Sequence, residues 1–477
     1  MAEAERTGTL VRLAYGFGAV AYGAKDNGFS YLLLFYYDQV LGLPGTWAGA
    51  ALLLALLFDA VSDPVVGVLS DNWRSRWGRR HPFMYAAALP VGASYWFLWN
   101  PPEGLGPAGL FAWLLVVAIL VRTMITVYEI PSTAMVSELT EFYDERTSLL
   151  SFRYFFGWWG GLTMAVLFYF VFAPLGGPAG REGPEGYAVY GAVASVLMSV
   201  AMLVSAAGTH HRIPTLRQAA QGPRPTFAQA ARELRETLAN PNIRTLFVAA
   251  LFYGAGAGLA AALNIYLNTY VFSFSDVQVG WFNIVYFGSA LVALPLSPAL
   301  SRRFGKKRAA IGMSVAAMII YPSAVLLKVF GLLPEGGSDA LFRMLLVANG
   351  LDVVLLISST TLISAMVADV VEESELQTGR RSEGVFFAAR TFALKAVSGL
   401  GLFAATMLLS VIDFPSDVHG AADVSSAVVR NLGVGYVAAT ASMYSAAVVF
   451  YARYRISRGG HEANLRRLAD AAPEGPM

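Results

Sequence analysis

Asp59 and Asp63 lie one helical turn apart inside the otherwise apolar stretch LLLALLFDAVSDPVVGVL at 52–69, and they are the residues best placed to do chemistry. An ionised carboxylate near the centre of a bilayer costs about 2.5–3.5 kcal/mol even on a lenient insertion scale, so two on one turn require a positive partner. Asp59, Ser62 and Asp63 stand at i, i+3 and i+4, which puts three oxygen-bearing side chains on one helical face. Such oxygens suit a hard monovalent cation, Na⁺ at Asp59 and Asp63. A proton is the competing ligand, because two close carboxylates can share one. Thr126 can complete the cage from another helix, where Arg122, Thr126 and Glu129 share a face and Pro131 follows.

Other charges interrupt apolar segments. Lys25 and Asp26, with Asn27, sit within FGAVAYGAKDNGFSYLLLFYY at 17–37 and should face the protein interior. Arg153 opens an aromatic run containing Tyr154, Phe155, Phe156, Trp158 and Trp159, and Arg390 and Lys395 interrupt the stretch at 384–403. Asp26, Asp59, Asp63 and Glu129 set against Lys25, Arg153 and Lys395 leave one negative charge, room for one monovalent cation. The blander reading is that buried pairs only hold helices together and that a lone Arg near a helix end snorkels, and it competes equally for Arg122, Arg343, Asp352 and Arg390. It fits Asp59 and Asp63 poorly, since their helix carries no base. Tyr22, Phe29, Tyr128, Trp158 and Trp159 could stack on a sugar ring, though interfacial belts absorb most membrane aromatics. His81, His210, His211, His419 and His461 all fall in loops or at helix ends, against a histidine relay.

The elements that must position these groups are membrane spans. The 477 residues are 56% hydrophobic and 14% charged, with mean hydropathy +0.54, which marks an integral membrane protein. Twelve stretches of the roughly 20 apolar residues a span needs recur between Leu10 and Tyr451. Barrel-type alternation is absent, so all are expected to be helices. Net charge of +2 gives no argument for nucleic acid, and the absence of cysteine excludes disulfides and thiolate chemistry. Basic residues crowd one side, at Arg74, Arg76, Arg79 and Arg80, at Arg302 to Arg308, and across the stretch 209–242. The positive-inside rule then places both termini in the cytoplasm of a multi-pass inner-membrane protein. The N-terminus lacks a cleavable signal pattern, so the first helix is expected to serve as the insertion signal.

The organisation read from these patterns is a six-helix bundle at 1–208, a cytoplasmic loop at 209–242, a second six-helix bundle at 243–455 and a cytoplasmic tail at 456–477. The segment FAQAARELRETL within the loop has helical spacing and reads as a surface or connector helix. The halves echo each other in parallel: Arg76-Trp77-Gly78-Arg79-Arg80 against Arg303-Phe304-Gly305-Lys306-Lys307, and Ala134-Met135-Val136 against Ala365-Met366-Val367. Pseudo-symmetric parallel halves are the plan of the major facilitator fold, with the site at midplane between them. No nucleophile–base pair, metal cluster or phosphate loop appears, and GVGYV near Gly433 reads as helix packing. Neither an enzyme nor a resident cofactor is expected.

At these residues the chain resembles the glycoside-pentoside-hexuronide:cation symporter family. The resemblance is carried by Lys25-Asp26 with the later YYDQVLGL, by FDAVSDP around Asp59, by YEIPSTAMVSEL after Val127, and by Asp369-Val370-Val371-Glu372 with Lys395. It implies a cation site at Asp59, Ser62, Asp63 and Thr126, and substrate contacts at Asp26, Glu129, Arg153 and Lys395; Lys25, Tyr128, Thr133 and Trp159 are further candidates for the substrate site. Ser62 stands where the best-known member has asparagine, Glu129 where it has aspartate, and Thr133 where a tryptophan packs on the sugar. The implied activity is a monomeric secondary symporter, coupled to Na⁺ or H⁺, that takes up a sugar or glycoside by alternating access. A sodium-coupled lysolipid or amphiphile transporter of the same fold is the alternative, and a non-transporting receptor or scaffold a lesser one. Retention of both Asp26 and Glu129 favours a polyhydroxylated substrate, whose hydroxyls donate to carboxylates. A cytoplasmic gate is expected where Arg76, Arg79 and Arg80 meet acids such as Glu138, Asp369 and Glu383.

Overall fold

With no water in the bilayer core, every spanning segment must satisfy its own backbone, and an all-helical chain does so. The computed structural model describes residues 8–140, 143–215, 241–378, 397, 399–416 and 424–454, and every regular element among them is helical. Nine described helices are long and apolar enough to cross a membrane.

The first expected span, α1, is composite: Thr9–Phe17, Ala19–Asn27 and the π-helical turns Gly28–Leu32 and Tyr36–Val40 follow one another. Its charges at Lys25 and Asp26 and its repeated changes of pitch keep it out of those nine. After it come α2 (Gly45–Asn72), α3 (His81–Trp99), α4 (Pro107–Ala134), α5 (Tyr143–Leu167) and α6 (Pro184–His210). The later helices are α7 (Pro241–Tyr266), α8 (Asp276–Phe304), α9 (Lys306–Val329), α10 (Asp339–Thr378), α11 (described as Gly399–Val411) and α12 (Ser426–Ala452). Of these, α3 is rich in Tyr and Trp, and only part of α11 is described, so these two also fall outside the nine.

The chain packs as two compact units. The first comprises Met1–Gln221, Ala261–Ile284 and Leu402–Val429, so the C-terminal end of α7, the N-terminal end of α8 and most of the described part of α11 group with the first six helices. Within it α2 lies on α4, α3 on α4 and α6, and α1 on α5 and α6. The contact between α1 and α5 is backbone to backbone: a Cβ on Gly23 would run into the carbonyl oxygen of Gly157. That approach carries Lys25 and Asp26 alongside the helix bearing Arg153. In α4, Pro131 denies the Val127 carbonyl its intrahelical donor two residues from Glu129.

The second unit comprises Gly222–Ala260, Val285–Gly401 and Arg430–Met477. Its core joins α7, α9, α10 and α12 through Leu246, Met313, Met366 and Tyr451. Ser314 and Ser359 are hydrogen-bonded at 2.6 Å across α9 and α10. The expected linker falls largely outside the described residues, as does the tail from 455 onward.

Candidate ion and substrate site

α2 and α4 bring the two aspartates and Thr126 together. The Thr126 hydroxyl lies 3.0 Å from Asp59 Oδ1 and 2.8 Å from Asp63 Oδ1, so one oxygen touches both carboxylates. Asp59 and Thr126 are buried, and Asp63 is partly exposed. Ser62 shares their face, but its hydroxyl donates to the backbone carbonyl of Asp59 at 3.1 Å. Arg122 enters where the sequence left two readings open: its Nη1 donates to Asp59 Oδ2 at 3.1 Å. Its guanidinium lies over the Phe29 ring, 4.8 Å from the centroid. Arg122 thus adds a fourth base to the three set against four acids.

One turn further along α4, Glu129 Oε2 is 2.6 Å from Arg153 Nη2, an ion pair whose approach is off the line of a directed hydrogen bond. Arg153 is buried and donates from Nη1 to the Ser132 hydroxyl at 3.2 Å. On α1, Lys25 is buried with its Nζ 3.6 Å from Asp26 Oδ1 and 4.5 Å from the Tyr22 centroid, whereas the Asp26 side chain is 59% exposed. Asp26 therefore presents its carboxylate while Lys25 holds it from behind.

The remaining substrate candidates separate. Trp159 and Thr133 are exposed, with Trp159 packed 5.5 Å from Phe155. Tyr128 is fully buried and faces α1 and α6, where a Cβ on Gly18 would meet its hydroxyl. It is placed in the core, away from Glu129's exposed side. Lys395 lies outside the described residues.

At the basic end of the same unit, Glu138 Oε1 accepts from Arg79 Nη2 at 2.6 Å and from Arg80 Nε at 3.0 Å. Arg80, itself buried, also reaches Asp71 at 2.5 Å and the Ser70 hydroxyl at 2.9 Å. Arg76 is exposed, with its guanidinium 5.7 Å from the Trp77 ring. Glu383 and the side chain of Asp369 are outside the described residues.

At the opposite end stands a polar network that hydropathy and spacing did not disclose. Asp38 Oδ2 accepts from Tyr266 at 2.5 Å and from Gln39 Nε2 at 2.8 Å, and Asp38 Oδ1 accepts from Ser416 at 3.0 Å. Gln39 Oε1 in turn accepts from Tyr270 at 2.9 Å. Arg181 donates from Nε to Thr269 at 2.9 Å, from Nη1 to Asp276 at 3.1 Å, and from Nη2 to the Phe274 carbonyl. Among the described residues no group of three or more His, Asp or Glu could hold a resident metal.

The chain matches the family described as "MFS/sugar transport protein" over residues 14–458. It is 30% identical to a Salmonella typhimurium protein provisionally described as a 2,3-dihydroxypropane-1-sulfonate exporter, over 87% of this chain and 86% of that one. It is 26% identical to an inner membrane symporter of Escherichia coli, over 80% and 78% of the two chains. Among solved structures, a bacterial homologue of the human lysosomal transporter Spinster superposes with a TM-score of 0.64 at 16% identity, covering 98% of this chain and all of that one, a likeness of fold alone.

Proposed function

The chain belongs to the MFS/sugar transport protein family, and we propose that within it this protein is a cation-coupled secondary symporter, driven by Na⁺ or H⁺, that takes up a sugar or glycoside by alternating access. As a family member it is a multi-pass membrane transporter of the major facilitator fold, not an enzyme. The proposal includes an inner-membrane location, both termini cytoplasmic, a monomer, and bundles at 1–208 and 243–455 joined by the loop 209–242.

The observation that carries the reading is the Thr126 hydroxyl in contact with both Asp59 and Asp63, one turn from Glu129 on the same helix. A cation reaching the two acids cancels their repulsion and ties α2 to α4. Because Thr126 and Glu129 lie one turn apart on the same helix, that tie steadies the Glu129–Arg153 pair for substrate. Each ligand then strengthens the other by reciprocal linkage. Asp26 and Glu129 accept hydrogen bonds from substrate hydroxyls, Arg153 orients Glu129, and Trp159 offers a ring face. An acyl chain would gain nothing from the acids, which counts against a lysolipid substrate. Lys395 is proposed as a further substrate contact on the family resemblance alone.

Export of a small hydroxylated anion is a second reading, supported by the description of the Salmonella relative. Labelled mono- and disaccharides and 2,3-dihydroxypropane-1-sulfonate, offered to proteoliposomes under imposed Na⁺ or H⁺ gradients of either direction, separate the two. Uptake reading requires that the wild type concentrate one of the sugars and that Asp59→Asn only equilibrate it. Accumulation by Asp59→Asn that still follows the ion gradient would overturn the assignment of the coupling site.

A further inference from the structure

We infer that Asp352, on α10, is a proton-binding site of the second unit, separate from Asp59 and Asp63 and independent of the ion those residues take. Asp352 stands midway along the 28-residue apolar span Asp339–Met366, where an ionised carboxylate without a partner costs most. It is 8% exposed, and among the described residues it makes no ion pair and no hydrogen bond, so the pairing that the sequence left open for it is not made there. Described bases of its own and neighbouring helices stand elsewhere. Arg343 is exposed two and a half turns earlier on α10, roughly 13 Å along the axis, and Arg430 is exposed on α12. Lys328, near the end of α9, donates to the Pro334 carbonyl at 2.8 Å.

Tyrosines surround it instead. Tyr321 of α9 and Tyr436 of α12 are both buried and meet edge to face with ring centroids 6.5 Å apart, and Asp352 is in electrostatic range of both. Tyr286 of α8 and Tyr444 of α12 lie in range of Tyr436. α8 closes against α10 at this level, where the Ser289 hydroxyl is 3.2 Å from the Gly350 carbonyl. The charged groups of α11, Arg390 and Lys395, are outside the described residues. Hydrogen-bond economy points the same way as burial. Asn349, three residues before Asp352 on the same face of α10, is 5% exposed, and its Oδ1 is buried with no partner among the described residues. An ionised Asp352 would set two more bare acceptors beside that one, whereas a neutral Asp352 has an O–H to donate within a turn of an acceptor that lacks a donor. A buried carboxylate with no counter-ion is neutralised by taking up a proton, which needs one oxygen and no cage. When water reaches the carboxyl the O–H proton passes to water, and reburial takes one back. In this way pH acts on the second unit directly.

Infrared difference spectra of the purified full-length protein in liposomes, wild type minus Asp352→Asn, read the state of this carboxyl without transport. At neutral pH the wild type is expected to show the carbonyl band of a neutral carboxylic acid that Asp352→Asn lacks and that shifts down in D₂O. The band should remain in Asp59→Asn, which separates this site from the other. Raising the pH is expected to exchange it for carboxylate bands. Should Asp352→Asn fail to fold, Asp352→Glu serves in its place and is expected to shift the band without abolishing it. Carboxylate bands alone in the difference spectrum at neutral pH overturn the inference, the result that an ion pair with Arg390 or Lys395 would give. A neutral-acid band that stays in Asp352→Asn, or that does not move in Asp352→Glu, belongs to another group and overturns it too. So does a band unchanged up to the pH of unfolding, since such an acid exchanges no proton.

Discussion

The Asp59–Asp63 cluster and the Asp38–Arg181 network both bury charge in the same compact unit, but they satisfy it in different ways. Around Arg181 each guanidinium nitrogen meets an acceptor, its backbone N–H reaches Asp276 at 3.3 Å, and its carbonyl accepts from Tyr187 at 2.9 Å. Around Asp59 one hydroxyl serves two acids, Ser62 is turned aside, and Arg122 Nε has no partner among the described residues. A fully satisfied network rigidifies, and a partly satisfied one can gain by taking up a ligand. The first arrangement suits a structural clasp joining α1, the 173–182 segment, the end of α7, the start of α8 and the stretch after α11 at one end of the unit. The second suits a site that binds and releases an ion.

The sharpest way to break this contrast is Arg181→Gln. Removing one member of a buried ion pair strands the other, here Asp276, and such losses run to about 3–5 kcal/mol. Melting temperature should fall strongly in every salt, because the effect is on packing and not on ion binding. A variant that melts like the wild type would show that the clasp contributes little, and the distinction between the two regions would lapse.

Thr126→Val is the counterpart in the ion cluster. The side chain keeps its shape and loses the one oxygen that touches both acids. Stability should drop by about 1 kcal/mol, the net contribution of a lost hydrogen bond. The ratio of gradient-driven to passive uptake should fall roughly 10- to 100-fold, the range of a typical coupling energy. Thr126→Ser should recover most of both. A large loss of stability with coupling intact would make Thr126 another clasp residue.

How much of this was legible in the sequence follows from the physics of each signal. Spans are local, so hydropathy located the helices. Asp59 and Asp63 stand out because burial energy makes two acids on one turn anomalous without any knowledge of neighbours. Arg122 was visibly on the face of Thr126 and Glu129, but whether it snorkels or pairs depends on the register of α2 against α4, which is a tertiary fact. The Asp38–Tyr266 bond joins residues 228 apart in sequence, and Arg181 is buried in a glycine-rich segment with no periodicity to mark it. Neither could be read from spacing. Tyr128, adjacent to Glu129 in sequence, is turned about 100° from it around α4 and is buried against α1, whereas Glu129 stays partly exposed.

Ser62→Ala is the smallest expected change and the most discriminating about the cage. Spacing and family resemblance both put the Ser62 hydroxyl among the ion ligands, whereas the structure has it donating to the carbonyl of Asp59, three residues back on its own helix. A serine bonded to its own helix adds little there and competes with the helical ladder, so alanine should change stability by no more than about 0.5 kcal/mol. If the coupling ion is a proton, ion-driven uptake should stay within about twofold of the wild type, since the Ser62 hydroxyl is engaged by its own helix. Uptake that collapses in Ser62→Ala, with melting unchanged, would mean that Ser62 turns to the ion when it binds. An oxygen cage of that kind is what a metal cation needs and a proton does not.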